Sequence, residues 1–300
     1  RGMSSLETAV LSAMGHLLSF TGTDTIPAID ALEQYYNANA DVELIGGSVA
    51  ATEHSVMCSG SKDGELETFK RLVIEVYPTG IVSIVSDTWD LWKVCTEYLP
   101  ALKEAILSRD GKVVIRPDSG DPVKIICGDP KGKSEVERKG VVELLWDVFG
   151  GTITDKGFKL LDPHIGAIYG DSINIERATL ICEGLKAKGF ATQVVFGIGS
   201  YTYQYVTRDT DGFAVKATFA KVAGVDREIF KAPKTDDGTK RSAKGLVAVF
   251  KDNNGDYYLK DQASWHDVAN CEFKPVFENG ELLVNQSLAE IRQRLASYIG

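Results

Sequence analysis

Lys112 to Gly120, KVVIRPDSG, is the stretch on which the fold reading turns. An apolar, β-branched run delivers a guanidinium, Arg116, and a carboxylate, Asp118, two residues apart, with Pro117 stiffening the turn between them. A surface ion pair is the bland explanation of such a pair. An arginine directly behind a buried strand, however, is placed over the mouth of the sheet, where ligands bind.

The same arrangement recurs along the chain. Strands are predicted at Leu17 to Phe20, Val42 to Ile45, Ile81 to Val85, Lys112 to Ile115, Ala167 to Tyr169 and Val194 to Phe196. They are followed by Gly22-Thr23-Asp24, Ser48 to His54, Ser86-Asp87, Arg116-Pro117-Asp118, Gly170-Asp171 and Gly197-Ile198-Gly199. All six polar groups fall at carboxyl ends. A parallel barrel gathers every such end on one face, whereas a doubly wound sheet gathers only those beside its crevice. The expected fold is therefore α/β, an irregular (β/α) barrel-like parallel sheet. Helices are expected roughly over 26–39, 64–76, 88–107, 141–149, 173–188 and 201–207, with Asp-rich starts at Ser86-Asp87-Thr88 and Asp171-Ser172.

From about Asp211 short alternating runs with turns at Asn253-Asn254-Gly255 and Asn279-Gly280 predict hairpins. A helix from Ser287 to Tyr298 closes the chain, with Ser287 and Glu290 at capping-box spacing. The expected organisation is a core over 1–210, a β-rich extension over 211–286 and a terminal helix over 287–300.

Composition limits the function classes. The 42 acidic against 33 basic side chains give a net charge of −9, the wrong sign for gripping nucleic acid through the bulk field. No run approaches the roughly 20 apolar residues of a membrane span, and no basic-then-apolar leader opens the chain, so a cytoplasmic location is expected. The 5 cysteines (Cys58, Cys95, Cys127, Cys182, Cys271) are scattered and never spaced CxxC, which reads as buried thiols rather than disulfides or zinc ligands. Trp89, Trp92 and Trp146, three of the 4 tryptophans, fall in expected helices and read as core.

Two segments, IYGDS (168–172) and FGIGSY (196–201), end a strand with glycine and open a helix, so backbone N–H groups can approach an anion closely. Either alone is a common turn; two on one face suggest a phosphate cradle. His54 follows Glu53 in a strand-end loop, whereas His16, His164 and His266 read as structural hydrogen-bonders. For Asp24 and Asp87, N-capping and catalysis both remain open. Arg208, Lys216, Lys231, Lys240, Arg241 and Lys244 concentrate positive charge in the last third. They form either a solvated face or a set of cations for a polyphosphate.

Taken in order, RGMSSLETA, FTGTDT, GGSVAATEHS, VSIVSDTWD, VVIRPDSGDP, YGDSIN, FGIGSYTYQYVTRD and KRSAKG resemble the type II phosphoribosyltransferase family, within it the members that use nicotinamide. The resemblance runs from Arg1 nearly to the end. It implies phosphoribosyl transfer from phosphoribosyl pyrophosphate to nicotinamide, giving nicotinamide mononucleotide and pyrophosphate for NAD salvage. By similarity Asp118 and Asp171 hold the ribose hydroxyls, and Arg1, Gly170, Gly199 and Ser200 surround the 5′-phosphate. Arg116 lies against nicotinamide, Ser48, Val49, Ala51 and Ser83 line its slot, and Asp24 accepts from the carboxamide. Asp87 approaches Mg2+ through water.

The resemblance further implies that ATP phosphorylates His54, with Glu53 orienting the imidazole, and that Arg208, Lys216 and Lys231 cross a homodimer interface to a shared active site. Members carry a long portion ahead of the position of Arg1, including the aromatic residues that sandwich the base. The 300 residues by themselves are therefore expected to be inactive. Ser200-Tyr201 departs from the family's glycine run. A nicotinate-specific enzyme and a noncatalytic phosphoribosyl-binding protein are the alternatives; Asp24 disfavours the first.

Overall fold

In a computed structural model, residues 2–207, 210, 212, 215–230 and 242–299 are described. Arg1, Arg208, Lys231, Lys240 and Arg241 lie outside the described residues.

The chain begins with helix α1 (Leu6–Leu17), which Ser5 starts through a reciprocal capping box with Thr8. Its buried face, Ala13, Met14 and Leu17, has helical spacing. The strand expected at Leu17 to Phe20 is instead the last residue of this helix and the turn behind it, because a short apolar run serves either period and here Leu17 completes the helical face. Helix α2 (Pro27–Tyr36) starts on a proline and stops at Asn37 in the left-handed region, φ 49°. Val42 to Ile45 forms no strand either: Val42 and Leu44 are exposed and only Ile45 is buried. A single parallel bridge between Gly22 and Gly47 stands where those two strands were expected.

Next come β1 (Ala50–Ala51), α3 (His54–Ser59) and α4 (Glu65–Arg71), which runs on as a π-helical turn over Leu72–Val76. Strand β2 (Thr79–Val85) precedes α5 (Leu91–Lys93), a second π-helical turn at Val94–Tyr98, α6 (Leu99–Ala101) and α7 (Lys103–Leu107). Strand β3 (Asp110–Arg116) leads to α8 (Pro122–Cys127), α9 (Glu135–Lys139) and α10 (Val141–Phe149). The hairpin β4 (Gly151–Ile153) and β5 (Lys159–Leu161) interrupts the alternation before β6 (Ile165–Tyr169), α11 (Ile175–Ala187), β7 (Val194–Phe196) and α12 (Ser200–Gln204).

The main sheet is parallel throughout, in the order β1-β2-β3-β6-β7. This order never reverses. Each crossover adds its strand on the same side, so there is no switch point, and all carboxyl ends share one edge as in barrel-type winding. Among the described residues the sheet does not close. One face, with Val82, Ile84, Val113, Ile115, Ile165 and Ala167, is buried in the core beside Val141, Leu145, Ile181 and Leu185 of the covering helices. Alternation puts Ser83, Val114 and Arg116 on the other face, where Ile81 and Val195 remain exposed.

Arg109 joins the helical layer to this sheet. It is buried, and its guanidinium donates to the carbonyls of Val73, Tyr77 (2.7 Å) and Gly80 (3.1 Å). It thereby satisfies the open end of the first π-helical turn and fixes where β2 begins. Glu65, the first residue of α4, is 1% exposed and its Oε1 has no partner. Burial pushes its carboxyl up to about 7, aided by the Asp90 carboxylate and opposed by Lys93 and Lys62.

The chain divides between Val206 and Thr207. The second unit contains three antiparallel hairpins: β8 (Phe219–Val222) with β9 (Val225–Glu228), β10 (Ala248–Lys251) with β11 (Tyr257–Lys260), and β12 (Phe277–Glu278) with β13 (Glu281–Leu282). Between them is α13 (Trp265–Ala269), and α14 (Leu288–Ile299) follows, its Ser287 and Glu290 capping each other as expected. This is the β-rich texture anticipated for the C-terminal part. No helix among the described residues is long and apolar enough to cross a membrane.

Candidate active site

The polar residues gather where the strands end, and backbone hydrogen bonds explain why. At the Gly22–Gly47 bridge, Thr23 N donates to Gly47 O and Gly47 N to Thr21 O, each at 2.9 Å. This pairing brings Ser48 to Asp24, with Ser48 Oγ donating to Asp24 Oδ1 at 2.5 Å. Among the described residues, Asp24 Oδ2 has no hydrogen-bond partner. Neither aspartate on the rim read above as a possible cap, Asp24 or Asp87, caps a helix.

At β1 the ladder pairs Ala51 with Ser83. Thr52 then extends the pairing by its own atoms: its N donates to Ser83 O (2.9 Å) and its Oγ1 accepts from Val85 N (3.0 Å). Glu53 follows in extended conformation, and His54 is the first residue of α3. Consecutive residues at a helix start point in different directions. Glu53 Oε2 accordingly pairs with Arg116 Nη2 at 3.3 Å, while His54 Nε2 faces Asp87 Oδ1 at 3.3 Å. The imidazole's partner is therefore Asp87 and not Glu53, a correction to the sequence expectation.

Asp87 ties two strand ends together. Its side chain is only 6% exposed, and Oδ2 accepts from Asp118 N (2.8 Å), Ser119 N (2.8 Å) and Ser119 Oγ (2.5 Å). Ser86 N adds a bond to Arg116 O at 3.0 Å. Oδ2 is thus fully used, whereas Oδ1 is buried with no hydrogen bond and only the imidazole beside it. One free carboxylate oxygen suits a magnesium ion that keeps its waters and is held mainly by substrate phosphates. A preformed cage is absent: among the described residues no group of three His, Cys, Asp or Glu side chains could hold a metal.

Two further buried polar atoms lack partners on the sheet face that carries Arg116, namely Ser83 Oγ and Arg116 Nε. Unpaired buried donors are costly in a folded chain and mark where a ligand's polar atoms can enter. Tyr169, at the end of β6, donates its hydroxyl to Gly120 O at 2.9 Å. Its phenol is pushed up by burial and then by the charge of Asp171, Asp87, Asp118 and Asp121, all of which follow the carboxyl ends of strands.

Gly170 and Gly197 close the other side. Gly197 N donates to Tyr169 O at 2.9 Å, and a Cβ on Gly197 would sit 2.7 Å from Gly170 Cα, so only glycine allows these two backbones to abut. Gly199 precedes α12, of which Ser200 is the first residue. Val49 is exposed, and Lys216 is an exposed residue of the second unit.

The structure thus brings together His54, Asp87, Glu53, Arg116 and Asp118 through direct contacts or a shared neighbour, sets Asp171 behind the adjacent strand β6, and joins Asp24 to Ser48 through one bond. Sequence reading passed over Thr52, Ser119 and Tyr169. Thr52 and Tyr169 lie inside the motifs AATEHS and IYGDS, and polar residues flanked by strand and turn were the signal available.

Comparison with known proteins gives the family. The "Nicotinate phosphoribosyltransferase (NAPRTase) family" matches residues 1–280. A protein of Acinetobacter baylyi named nicotinamide phosphoribosyltransferase is 55% identical over all of this chain and 60% of its own length. Proteins of the same name from Mycoplasma pneumoniae and Xanthomonas campestris pv. campestris are 41% and 33% identical, over 82% and 97% of this chain and 51% and 60% of theirs. The chain spans at most 60% of the length of these relatives. With the family match covering 1–280 and the strand-end residues in one place, this chain belongs to the nicotinate phosphoribosyltransferase family.

Proposed function

We propose that the enzyme containing this chain transfers the phosphoribosyl group of phosphoribosyl pyrophosphate to nicotinamide, releasing nicotinamide mononucleotide and pyrophosphate in NAD salvage, as a cytosolic homodimer. The observation that carries the reading is the pair of unpartnered atoms Ser83 Oγ and Arg116 Nε on one sheet face, beside a rim of carboxylates. A flat amide-bearing ring fits the first feature and an electron-poor sugar the second.

The pyridine nitrogen brings its own lone pair, so no strong base is required. It bonds to C1 of ribose while the C1–O bond breaks and its electron pair leaves with pyrophosphate. Catalysis then rests on holding these groups in line and on charge placed before the reaction begins. Asp118 and Asp171 take the ribose hydroxyls, and their charge favours the cation-like sugar. Arg116 stacks on the base, Ser48, Val49, Ala51 and Ser83 shape its slot, and Gly170, Gly199 and Ser200 face the 5′-phosphate. Asp87 would hold a substrate-bound Mg2+ through water, and the ion would supply neutralising charge for the leaving group. Arg1 joins the phosphate site, and Arg208, Lys216 and Lys231 add cations from the neighbouring subunit.

Asp24 supplies the base preference. With Oδ1 engaged by Ser48, Oδ2 is free to accept from the carboxamide NH2, whereas nicotinate would set a carboxylate against it. His54 is the site of ATP coupling. The Asp87 contact occupies Nε2 and leaves Nδ1 as the nucleophile. Nδ1 takes the γ-phosphoryl group of ATP, ADP departs, and water later removes the phosphoryl group as phosphate.

Product formation from phosphoribosyl pyrophosphate, Mg2+ and ATP, with nicotinamide and nicotinate compared side by side, tests the reading. Preference for nicotinamide is expected. Preference for nicotinate overturns the assignment of the base, and binding without turnover overturns the activity.

A further inference from the structure

Arg177 stands where electrostatics argues against it. It is the third residue of α11, and a cation in the first turn of a 13-residue helix opposes the macrodipole. Its backbone is well served, since Asn174 Oδ1 caps the helix by accepting from Arg177 N at 2.9 Å. The side chain must therefore be offset by what it touches. Its Nη1 donates to Ser172 O at 2.5 Å, and its guanidinium lies 5.4 Å from the ring centre of Tyr201.

Both partners belong to the glycine turns. Ser172 adopts φ 55°, a left-handed conformation that costs a residue other than glycine of order 1 kcal/mol or more and persists only when neighbours hold it. The Arg177 bond to the Ser172 carbonyl is such a hold. Tyr201 is the second residue of α12, directly after Gly199-Ser200. A parallel tie runs from Thr202 Oγ1 to Ile173 O at 2.6 Å. The turn behind β6 and the turn behind β7 are thus pinned to each other by one charged side chain and one hydroxyl, on the far side of the Gly170–Gly197 contact.

We propose that Arg177 is a positioning residue that fixes the turn after β6 against the turn after β7 and so sets the width of the phosphate-binding cradle between Gly170-Asp171 and Gly199-Ser200. The inference rests on the reading of those turns as the 5′-phosphate site. It also gives Ser200-Tyr201 a purpose: where a glycine run would leave the second turn loose, the tyrosine ring offers the guanidinium a flat surface to lie on.

The test is done in the complete enzyme with R177A, R177K, Y201L and the double variant R177A/Y201L, reading steady-state constants, calorimetric binding of ribose 5-phosphate and the thermal midpoint. Loss of one charge-assisted hydrogen bond and one stacked contact predicts that R177A weakens ribose 5-phosphate binding and raises KM for phosphoribosyl pyrophosphate about tenfold. KM for nicotinamide should not move. R177K should recover part of the loss, because an ammonium reaches the Ser172 carbonyl and cannot lie flat on the ring. Adding Y201L to R177A should cost less than Y201L alone, since the two share one contact.

Equal ribose 5-phosphate binding by R177A and wild type overturns the role of Arg177 and leaves the cradle standing. A uniform decline of every constant together with a lowered midpoint, unrelieved in R177K, also overturns it. Failure of the wild type to bind ribose 5-phosphate removes the cradle, and the proposal with it.

Discussion

Replacing Glu65 by glutamine tests how the helical layer behind the site is balanced. The carboxyl is 1% exposed, has an oxygen without a partner and is pushed up to about 7 from 4.5. An acid whose pKa is raised on folding holds its proton in the native state over a pH range in which the unfolded chain has released it. Stability therefore falls as pH rises from 4.5 to about 7, and the whole penalty is present above that window. The shift corresponds to at most about 3 kcal/mol, roughly 1.4 kcal/mol for each pKa unit. Glutamine has the shape of the neutral acid and cannot ionise. E65Q should match the wild type near pH 4.5 and exceed it by up to about 3 kcal/mol at pH 8, when the stability of the first unit is followed by urea unfolding at several pH values. A stability difference that does not change between pH 4.5 and pH 8 would show that Glu65 is ionised in the fold and would refute the reasoning. So would a loss of stability in E65Q that grows with pH.

Three other substitutions probe the scaffold and the chemistry. R109M leaves the carbonyls of Val73, Tyr77 and Gly80 without their donor, and a loss of about 3 kcal/mol is expected in urea unfolding; a change under about 0.5 kcal/mol would mean water replaces the guanidinium at no cost. In the complete enzyme, D24N should lower the ratio of kcat/KM for nicotinamide over nicotinate by about tenfold or more, and unchanged selectivity would contradict the role given to Asp24 Oδ2. H54A should keep basal phosphoribosyl transfer and lose its stimulation by ATP. Undiminished stimulation would remove His54 from the coupling.

The sequence made the buried strands and the most strongly patterned helix legible. Val194 to Phe196 and Val141 to Phe149 occur with the boundaries expected, and β2, β3 and β6 extend their expected cores by a few residues. The central strands end in apolar runs whose core-facing residues are buried, and these runs are long enough to be read. The errors lie at Leu17 to Phe20 and Val42 to Ile45, four-residue runs too short to show whether their period is that of a helix or a strand. At the candidate site, the polar residues at strand ends could be located because they directly follow the buried apolar runs. Partner choice could not. The pairing of Asp87 with Ser119 spans 32 positions and that of Arg116 with Glu53 spans 63, and only the register of the sheet determines such neighbours. Glu53 and His54 show the same limit: neighbours in sequence, they face different partners, and the imidazole meets a carboxylate on another strand end.

The two oxygens of Asp87 have different duties, one fastening the loop of Asp118 and Ser119, the other meeting the His54 ring. A rigid carboxylate cannot answer to one without informing the other. A change in the charge of the imidazole would therefore be felt, through a single planar group, at the peptide that carries Asp118. On the mechanism proposed above, one side chain would gear ATP coupling at His54 to bond breaking beside Asp118.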